Sequence, residues 1–155
     1  MPAELIVATI ATESGGDPNA RRSEPKLGDE NVGLMQTLVG TAQRTLGRQQ
    51  LTGDDLLTPA TSIAAGTAYI AQQRGSTHFD PPLVAAAYNA GSLRHEDAEA
   101  NRWLLVCYPS GTGRHIDNFV EWFSDCVKVS TQYGWGQNGG TPNFYAELQK
   151  EKNVA

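Results

Sequence analysis

A single carboxylate, Glu13, stands where the first helix of the chain should end, a position that suits acid–base chemistry. The run Leu5–Ala11 is apolar and compatible with a helix. Gly15, Gly16 and Pro18 follow and stop that helix. Partial burial of a carboxylate raises its pKa, which lets the group donate a proton near neutral pH. Glu13 is therefore a candidate general acid, although the first eighteen residues alone favour a solvated glutamate at a helix end.

Two later segments also place polar side chains beside glycine. They are Gly33–Gln36, which reads GLMQ, and Ala87–Gly91, which reads AYNAG. The second segment leaves Tyr88 and Asn89 at the end of a predicted helix. Both side chains can hydrogen-bond a ligand without adding another charge beside an acid. Neither segment identifies a site when it is taken alone.

The elements that would position these residues are predicted to be helices joined by long loops. Thr58-Pro59 and Asp80-Pro81 each start a helix, because a capping side chain precedes a proline at the first helical position. A late, core-facing helix is predicted by an apolar stripe at helical spacing, formed by Ile116, Phe119, Val120, Phe123 and Val127. Residues 14–31 have no helical or strand periodicity, so they read as a long loop. We expect a mainly α-helical domain without a convincing strand.

Local signals also set approximate helix boundaries. The first helix should run from about Ala3 to Thr12, and a short helix after residues 32–36 should end at Leu46, before Gly47. Thr141-Pro142 starts a last helix that reaches about residue 152. Residues 92–114 stay unassigned, apart from a helical turn or two within residues 96–103.

Size and composition are those of one folded domain that covers residues 1–155. The chain is 39% hydrophobic and 19% charged, which is unlike a disordered tail, and it can bury a sizeable core. The net charge of -5 argues against a nucleic-acid-binding surface. No apolar run is long enough to span a bilayer, and Leu5–Ala11 lacks the flanks of a secretory signal. We therefore expect no nucleic-acid partner and no membrane span.

The cysteines and histidines do not indicate a metal site. Cys107 and Cys126 lack the spacing of metal ligands, and they could either pair outside the cytoplasm or remain small buried residues. His78, His95 and His115 are far apart and form no HExxH pattern. We interpret the histidines as surface or turn residues, and we expect neither a metal nor a cofactor.

In their order along the chain, three segments resemble the catalytic domain of lytic transglycosylases. They are Glu13–Ala20, which reads ESGGDPNA, then Gly33–Gln36 and Ala87–Gly91. The segment Ile63–Ile70 strengthens the match, which covers roughly residues 3–91. The resemblance implies the lysozyme-like, mainly α-helical fold of goose-type lysozymes, with a cleft for peptidoglycan. Residues 92–155 would supply helices that complete the domain.

The resemblance also implies roles for individual residues. Glu13 corresponds to the family's essential acid. The residues that would bind or position the substrate are Ser14, Met35, Gln36, Tyr88 and Asn89. Of these, Met35 and Gln36 would line the sugar subsites, while Tyr88 and Asn89 would orient the substrate. Without the resemblance, Met35 and Tyr88 would also suit core packing.

The chain departs from the family's pattern at two positions. Ser62 stands where the family often has asparagine, and a loose match places Phe119 where the family has a tyrosine. If that match holds, a hydroxyl near the acid is missing. Aromatic residues that could stack on sugar rings are Trp103, Tyr108, Trp122, Tyr133 and Trp135. We expect at least Trp122 to pack in the core instead.

A single acid can serve both halves of the implied reaction. Protonated Glu13 would give its proton to the glycosidic oxygen between N-acetylmuramic acid and N-acetylglucosamine. The carboxylate would then accept the proton of the muramyl 6-hydroxyl as that oxygen closes onto the anomeric carbon, which yields a 1,6-anhydro sugar. Asp29 and Glu30 are candidates for a second carboxylate that holds a water for ordinary hydrolysis, or are solvated loop charges.

Two alternatives to a lytic transglycosylase follow from these observations. One is a hydrolytic goose-type lysozyme, and the other is a peptidoglycan-binding module without activity. In each case the partner is the glycan strand of peptidoglycan, and the place of action is the bacterial cell wall, in the periplasm or outside the cell. Because no signal precedes the first helix, we expect a domain of a longer protein or one carried by a phage particle or a secretion apparatus.

Overall fold

The fold was analysed in a computed structural model, which describes residues 1–94, 107–134, 142–144 and 146. The helices within these residues are α1 Ala3–Ser14, α2 Val39–Leu46, α3 Gly53–Leu56, α4 Pro59–Gln72, α5 Arg74–Thr77, α6 Pro81–Ala90 and α7 Thr112–Tyr133. The strands are β1 Arg21–Glu24, β2 Asp29–Val32 and β3 Thr37–Leu38. Helices therefore dominate, and the predicted mainly α-helical, lysozyme-like fold is confirmed.

The small sheet corrects the prediction that residues 14–31 form a loop without strands. β1 and β2 form an antiparallel hairpin in which Arg22 pairs with Asn31 and Glu24 with Asp29. β2 also pairs with β3, so the strand order is β1-β2-β3. The strand sequences RRSE and DENV are almost entirely polar, and β1 is mostly exposed to solvent. The two strands contain one apolar residue, the buried Val32, so they give no alternating hydrophobic pattern, which is why the sequence did not reveal the hairpin.

Helix α1 ends directly after the candidate acid, because Gly15 adopts a left-handed conformation with φ of 64°. A residue with a side chain would be strained there, whereas glycine is not. The helix extends two residues beyond the predicted end at Thr12. Leu5 and Ala8 are fully buried where α1 packs along α7. The end of α1 is thus attached to the core of the protein by the rest of the helix.

The buried apolar residues form two clusters on either side of α4. The larger cluster joins α1, α6 and α7 and includes Leu5, Val84 and Phe119. The smaller cluster lies between the sheet, α2, α3 and α4 and includes Val32 and Leu56. Since α4 contributes residues to both clusters, it connects the sheet to the long helices.

Helix α7 carries the predicted apolar stripe except at Val120, which is 36% exposed. Phe119 and Phe123 are buried in the larger cluster, and Ile116 and Val127 pack against it. Phe119 therefore belongs to the core. Trp122 is 48% exposed, which contradicts its predicted core packing.

Several predictions fall on other parts of the chain. Trp103, Trp135, His95 and the turn expected within residues 96–103 lie outside the described residues, as does most of the predicted last helix. Cys107 and Cys126 are free thiols, exposed and buried respectively. Of the helices described, none is long and apolar enough to cross a membrane.

Candidate active site

Glu13 sits in the last turn of α1 with its side chain only 12% exposed. Burial disfavours its ionised form and raises the pKa of the carboxyl from 4.5 to about 7. The charge of Arg22 acts in the opposite direction and lowers that pKa. The partial burial expected from the sequence is therefore present, and Glu13 can be protonated near neutral pH.

Ser14 attaches this end of the helix to the segment Gly33–Gln36. Its hydroxyl donates to the carbonyl oxygen of Leu34 at 2.7 Å and accepts from the backbone N–H of Gly16 at 3.2 Å. Both bonds are internal to the protein, and Ser14 is not among the residues that line the cleft described below. Its contacts support the role of shaping the site.

Tyr88 joins the end of α6 to the same segment. Its hydroxyl donates to the carbonyl oxygen of Met35 at 2.8 Å and lies 3.1 Å from the hydroxyl of Thr37. Burial raises the pKa of Tyr88 above its ordinary value, and the nearby charge of Glu13 raises it further. Tyr69 packs edge-on against the Tyr88 ring, with ring centroids 5.3 Å apart. The structure thus brings Tyr88 into the electrostatic range of Glu13.

A cleft of about 520 Å³ is lined by Arg22 and Tyr88, two residues that interact electrostatically with Glu13, whereas Glu13 itself is not among its lining residues. Its walls come from the hairpin, from residues 36–41, from the ends of α4 and α6, and from residues 109–111. Three of the predicted site residues, Gln36, Tyr88 and Asn89, lie on these walls. Size and position make the cleft the candidate binding site for a ligand.

Gln36 is held in an unusual conformation at the edge of this cleft. Its φ of 46° lies in the left-handed region, which is uncommon for a residue with a side chain. Its side-chain nitrogen donates to the carbonyl oxygens of Gly33 at 2.9 Å and Ala20 at 3.0 Å. These bonds connect the turn after β2 to the residue before β1. Gln36 therefore organises the cleft wall as well as lining it.

Met35 does not line the cleft, which corrects one prediction. Its side chain is 0% exposed and belongs to the larger buried cluster. It packs against Gly66 of α4 so closely that a Cβ atom at position 66 would lie 2.8 Å from the Met35 Cβ. Ser62, one turn earlier in α4, accepts a hydrogen bond from the Met35 N–H at 3.1 Å. The apolar Met35 side chain contributes to the core, and its backbone positions Tyr88.

Asp29 and Glu30 are not among the residues that line the cleft, and each carboxylate is engaged elsewhere in the fold, so their predicted use as a second carboxylate gains no support. The Asp29 carboxylate accepts from the N–H groups of Glu30 at 2.7 Å and Gly40 at 3.0 Å. Glu30 forms an ion pair with Arg21 at 2.8 Å, and Arg21 also contacts Asp54. The antiparallel register places Glu30 and Arg22 on opposite faces of the hairpin.

The hairpin instead directs Arg22, Glu24 and Asn31 to the cleft. Glu24 forms an ion pair with Arg22 and accepts a hydrogen bond from the side-chain amide of Asn31, each at 3.0 Å. No pattern in the sequence singles out these residues, because only the folded hairpin shows that they lie on the cleft wall. They supply a cation, a carboxylate and an amide on one wall.

His115 is the residue whose importance the sequence analysis missed. Its Nε2 lies 3.5 Å from Oε1 of Glu13, and its side chain is 14% exposed. Burial lowers the pKa of His115, and the charge of Arg22 lowers it further. The interpretation of this histidine as a surface residue is wrong, and the residue that reaches the acid from α7 is His115, not Phe119.

Asn89 connects the cleft to the start of α7. Its Oδ1 lies 2.8 Å from the hydroxyl of Thr112, the first residue of that helix. The same hydroxyl lies 2.8 Å from the carbonyl oxygen of Pro109. Among the described residues, no three His, Cys, Asp or Glu side chains gather in a way that could hold a metal ion.

Comparison with known proteins identifies the family of this chain. Residues 1–118 match the model of the family described as "Transglycosylase SLT domain". The chain is also 30% identical over 152 residues to a Haemophilus influenzae protein named "Putative soluble lytic murein transglycosylase". That alignment covers 96% of this chain but only 23% of the relative. The chain thus spans less than a quarter of the length of that protein.

Proposed function

This chain belongs to the transglycosylase SLT domain family, and on that basis we propose that it is a peptidoglycan lytic transglycosylase. Its substrate is the β-1,4 bond between N-acetylmuramic acid and N-acetylglucosamine, and its place of action is the bacterial cell wall. The observation that carries the proposal is the buried Glu13, with its raised pKa, in electrostatic contact with Arg22 and Tyr88, which line the cleft. The murein named in the description of the relative supports the same substrate.

In the proposed reaction Glu13 acts first as an acid and then as a base. The protonated carboxyl gives its proton to the glycosidic oxygen, and the bond from that oxygen to the muramyl anomeric carbon breaks. Positive charge develops on the anomeric carbon and ring oxygen. The Glu13 carboxylate then removes the proton of the muramyl 6-hydroxyl, whose oxygen bonds to the anomeric carbon. The products are a 1,6-anhydro-muramyl end and a free N-acetylglucosamine hydroxyl, and Glu13 is protonated again.

The surroundings of Glu13 suit this double role. A pKa near the working pH lets one group donate and accept a proton with similar ease. Tyr88, Gln36 and Asn89 are uncharged in this role. Substrate contacts by these side chains would therefore not add a charge that changes the pKa of Glu13. Support for turnover, as opposed to mere binding, comes from the protonatable Glu13.

Hydrolysis by the goose-type mechanism is less well supported. It needs a water held against the anomeric carbon, for which a second carboxylate is the usual base. Of the carboxylates among the described residues, Glu24 lines the cleft, but it is already engaged by an ion pair with Arg22 and a hydrogen bond from Asn31. We therefore propose that the intramolecular 6-hydroxyl takes the place of a water.

We also propose that residues 1–155 act as one domain, alone or within a larger protein or a phage or secretion assembly. Contacts between the two ends of the chain support the first part. Glu4 accepts from Ser130 at 2.8 Å and from the N–H of Phe144 at 2.9 Å. The N–H of Ala3 donates to the carbonyl oxygen of Pro142 at 3.0 Å.

The test is product analysis on purified peptidoglycan sacculi. The unmodified protein should release muropeptides with anhydro ends, which mass spectrometry distinguishes from hydrolytic products because they are lighter by one water. Glu13→Gln should keep the fold and lose activity by at least about 1,000-fold, because it cannot transfer the proton. Glu30→Gln, on the other face of the hairpin, is the matched control and should retain activity. Hydrolytic products, or an active Glu13→Gln protein, would refute the proposal.

A further inference from the structure

The contact between His115 and Glu13 joins two side chains that the fold holds in place. Nε2 of His115 lies 3.5 Å from Oε1 of Glu13, at the outer limit of hydrogen-bond distance, and both side chains are largely buried. Catalytic hydrogen bonds in proteins without substrate are often long and tighten when substrate binds. Since the contact involves Oε1, the other oxygen, Oε2, remains to carry a proton.

The position of His115 is fixed by the start of α7. The N–H of His115 donates to the carbonyl oxygen of Gly111 at 3.0 Å, in the first turn of the helix. Thr112, at the beginning of the same turn, is bonded to Asn89 or Pro109 at 2.8 Å. Asn89 directly follows Tyr88. The imidazole is thus anchored to the same end of α6 that faces the acid.

The surroundings favour a neutral imidazole. The ionisable groups that face His115 are Glu13 on α1, Arg22 on β1 and, through Glu13, Tyr88 on α6. Burial and the Arg22 charge both lower the pKa of His115 below its usual value. A neutral imidazole with its proton on Nε2 can donate to Oε1 whether Glu13 is protonated or not. A cation at this place would instead stabilise the carboxylate and reduce the protonated fraction of the acid.

We propose that His115 is a positioning residue for the acid: it donates from Nε2 to Oε1 of Glu13, which keeps the transferable proton on Oε2. This inference rests on the proposed function of Glu13. His115 itself neither gives nor takes a proton in the reaction. Its contribution is to hold the carboxyl in one orientation through both halves of the proton transfer.

The experiment uses three variants at one position. His115→Leu removes the donor, His115→Gln keeps an uncharged N–H donor, and His115→Lys introduces a cation. Release of anhydro muropeptides is measured from pH 4 to 9, with kcat and KM separated. The pKa of Glu13 is followed by ¹³C NMR of the carboxyl carbon. His78→Gln, an exposed histidine at the end of α5, serves as the control and should match the unmodified protein.

A positioning role predicts a particular pattern across these variants. His115→Leu should lower kcat on the order of 100-fold, the cost of misplacing a catalytic group by about 1 Å, with little change in KM. His115→Gln should recover about tenfold of that loss, the equivalent of one hydrogen bond. His115→Lys should lower the pKa of Glu13 by about one unit or more, so the alkaline limb of the pH profile moves to lower pH.

The outcomes separate this inference from the proposed function. An unchanged kcat in His115→Leu, or an unchanged pKa of Glu13 in His115→Lys, would overturn the positioning role even if anhydro products form. Absence of anhydro products from the unmodified protein would refute the proposed function. In that case the NMR titration of Glu13 still decides whether His115 controls the acid. Circular dichroism of each variant shows whether it is folded.

Discussion

At the scale of single residues, the site depends on keeping one carboxyl group uncharged at a pH where most carboxyl groups are ionised. Glu13 achieves this through burial, which raises its pKa to about 7, against the opposing effect of Arg22. The same burial has a consequence for folding. A group that binds its proton more tightly in the folded state makes folding less favourable as the pH rises through that range.

We expect Glu13→Gln to be more stable than the unmodified protein at alkaline pH. The folded protein binds the Glu13 proton up to about pH 7, whereas the unfolded chain releases it near pH 4.5. The free energy of unfolding of the unmodified protein is therefore not reduced by Glu13 below pH 4.5. It decreases as the pH rises from there to about pH 7. At about 1.4 kcal/mol per pKa unit, the loss amounts to about 3 kcal/mol.

Urea denaturation at pH 4 and pH 8.5 measures this effect. The two proteins should have similar free energies of unfolding at pH 4, and the variant should exceed the unmodified protein at pH 8.5. Glu121→Gln, which changes an exposed carboxylate on α7, controls for loss of one charge and should show no such difference. Equal stability of Glu13→Gln and the unmodified protein at pH 8.5 would show that Glu13 is not buried as described.

Arg22 should set the upper pH limit of activity. Arg22→Gln removes the charge that lowers the pKa of Glu13, so that pKa should rise and the alkaline limb should move to higher pH. The shift should stay within about one unit, because the Arg22 side chain is 66% exposed and solvent screens its charge. Activity profiles at low and high salt, with the exposed Arg48→Gln as control, measure it. A shift to lower pH would contradict the electrostatic account.

At the scale of elements, the site is assembled by the close approach of the segment Gly33–Gln36 to α4. Gly66 permits this approach because it has no side chain, and Met35 fills the space above it. The Met35 carbonyl oxygen in turn accepts the hydrogen bond of Tyr88. Packing at Gly66 therefore affects the position of Tyr88, which α4 also contacts directly through the ring of Tyr69.

We expect Gly66→Ala to be destabilising even though alanine favours helices. The new methyl group would lie 2.8 Å from the Met35 Cβ, which cannot move without its backbone. Overpacking of this kind costs about 1–3 kcal/mol, and displacement of Met35 should also lower kcat. Gly75→Ala in α5 is the matched control, because its methyl group meets nothing within 4 Å. Thermal unfolding measures both, and a more stable Gly66→Ala protein would contradict the packing described.

The sequence predicted the helices better than the parts that join them. The spacing of Phe119 and Phe123 identified α7 because one face of a helix repeats along the chain. The hairpin has no such repeat, because Val32 is the one apolar residue in its two strands. The contact of His115 with Glu13 was also hidden, since it joins two distant segments without any local pattern. Motif resemblance located Glu13 and Tyr88, but only packing revealed that Met35 is buried.

At the scale of the whole molecule, α1 connects the site to the opposite end of the protein. Glu4, one of the first residues of α1, is 2% exposed and accepts hydrogen bonds from Ser130 of α7 and from the N–H of Phe144. About 13 Å of helix separates Glu4 from Glu13. In the proposed reaction, α1 thus carries a stabilising carboxylate, Glu4, near one end and the acid, Glu13, near the other.

We expect Glu4→Ala to reduce stability without affecting catalysis. The substitution leaves the Phe144 N–H without its acceptor and removes a charged hydrogen-bond partner, at a cost of about 2–3 kcal/mol. Urea denaturation measures the loss, and kcat at a temperature where the variant is fully folded should equal that of the unmodified protein. Glu121→Ala is the exposed control. A lower kcat in the folded variant would show that α1 does not isolate the two ends.

The hairpin wall of the cleft has a consequence for how related chains can diverge. None of the residues 21–28 belongs to either buried cluster, and Leu27 in the turn is 65% exposed while lining the cleft. Substitutions on such a surface usually change folding free energy by less than about 0.5 kcal/mol. Under the proposed function, natural selection can therefore alter which cell-wall variants the domain prefers by replacing hairpin residues, while α1 and its acid stay unchanged.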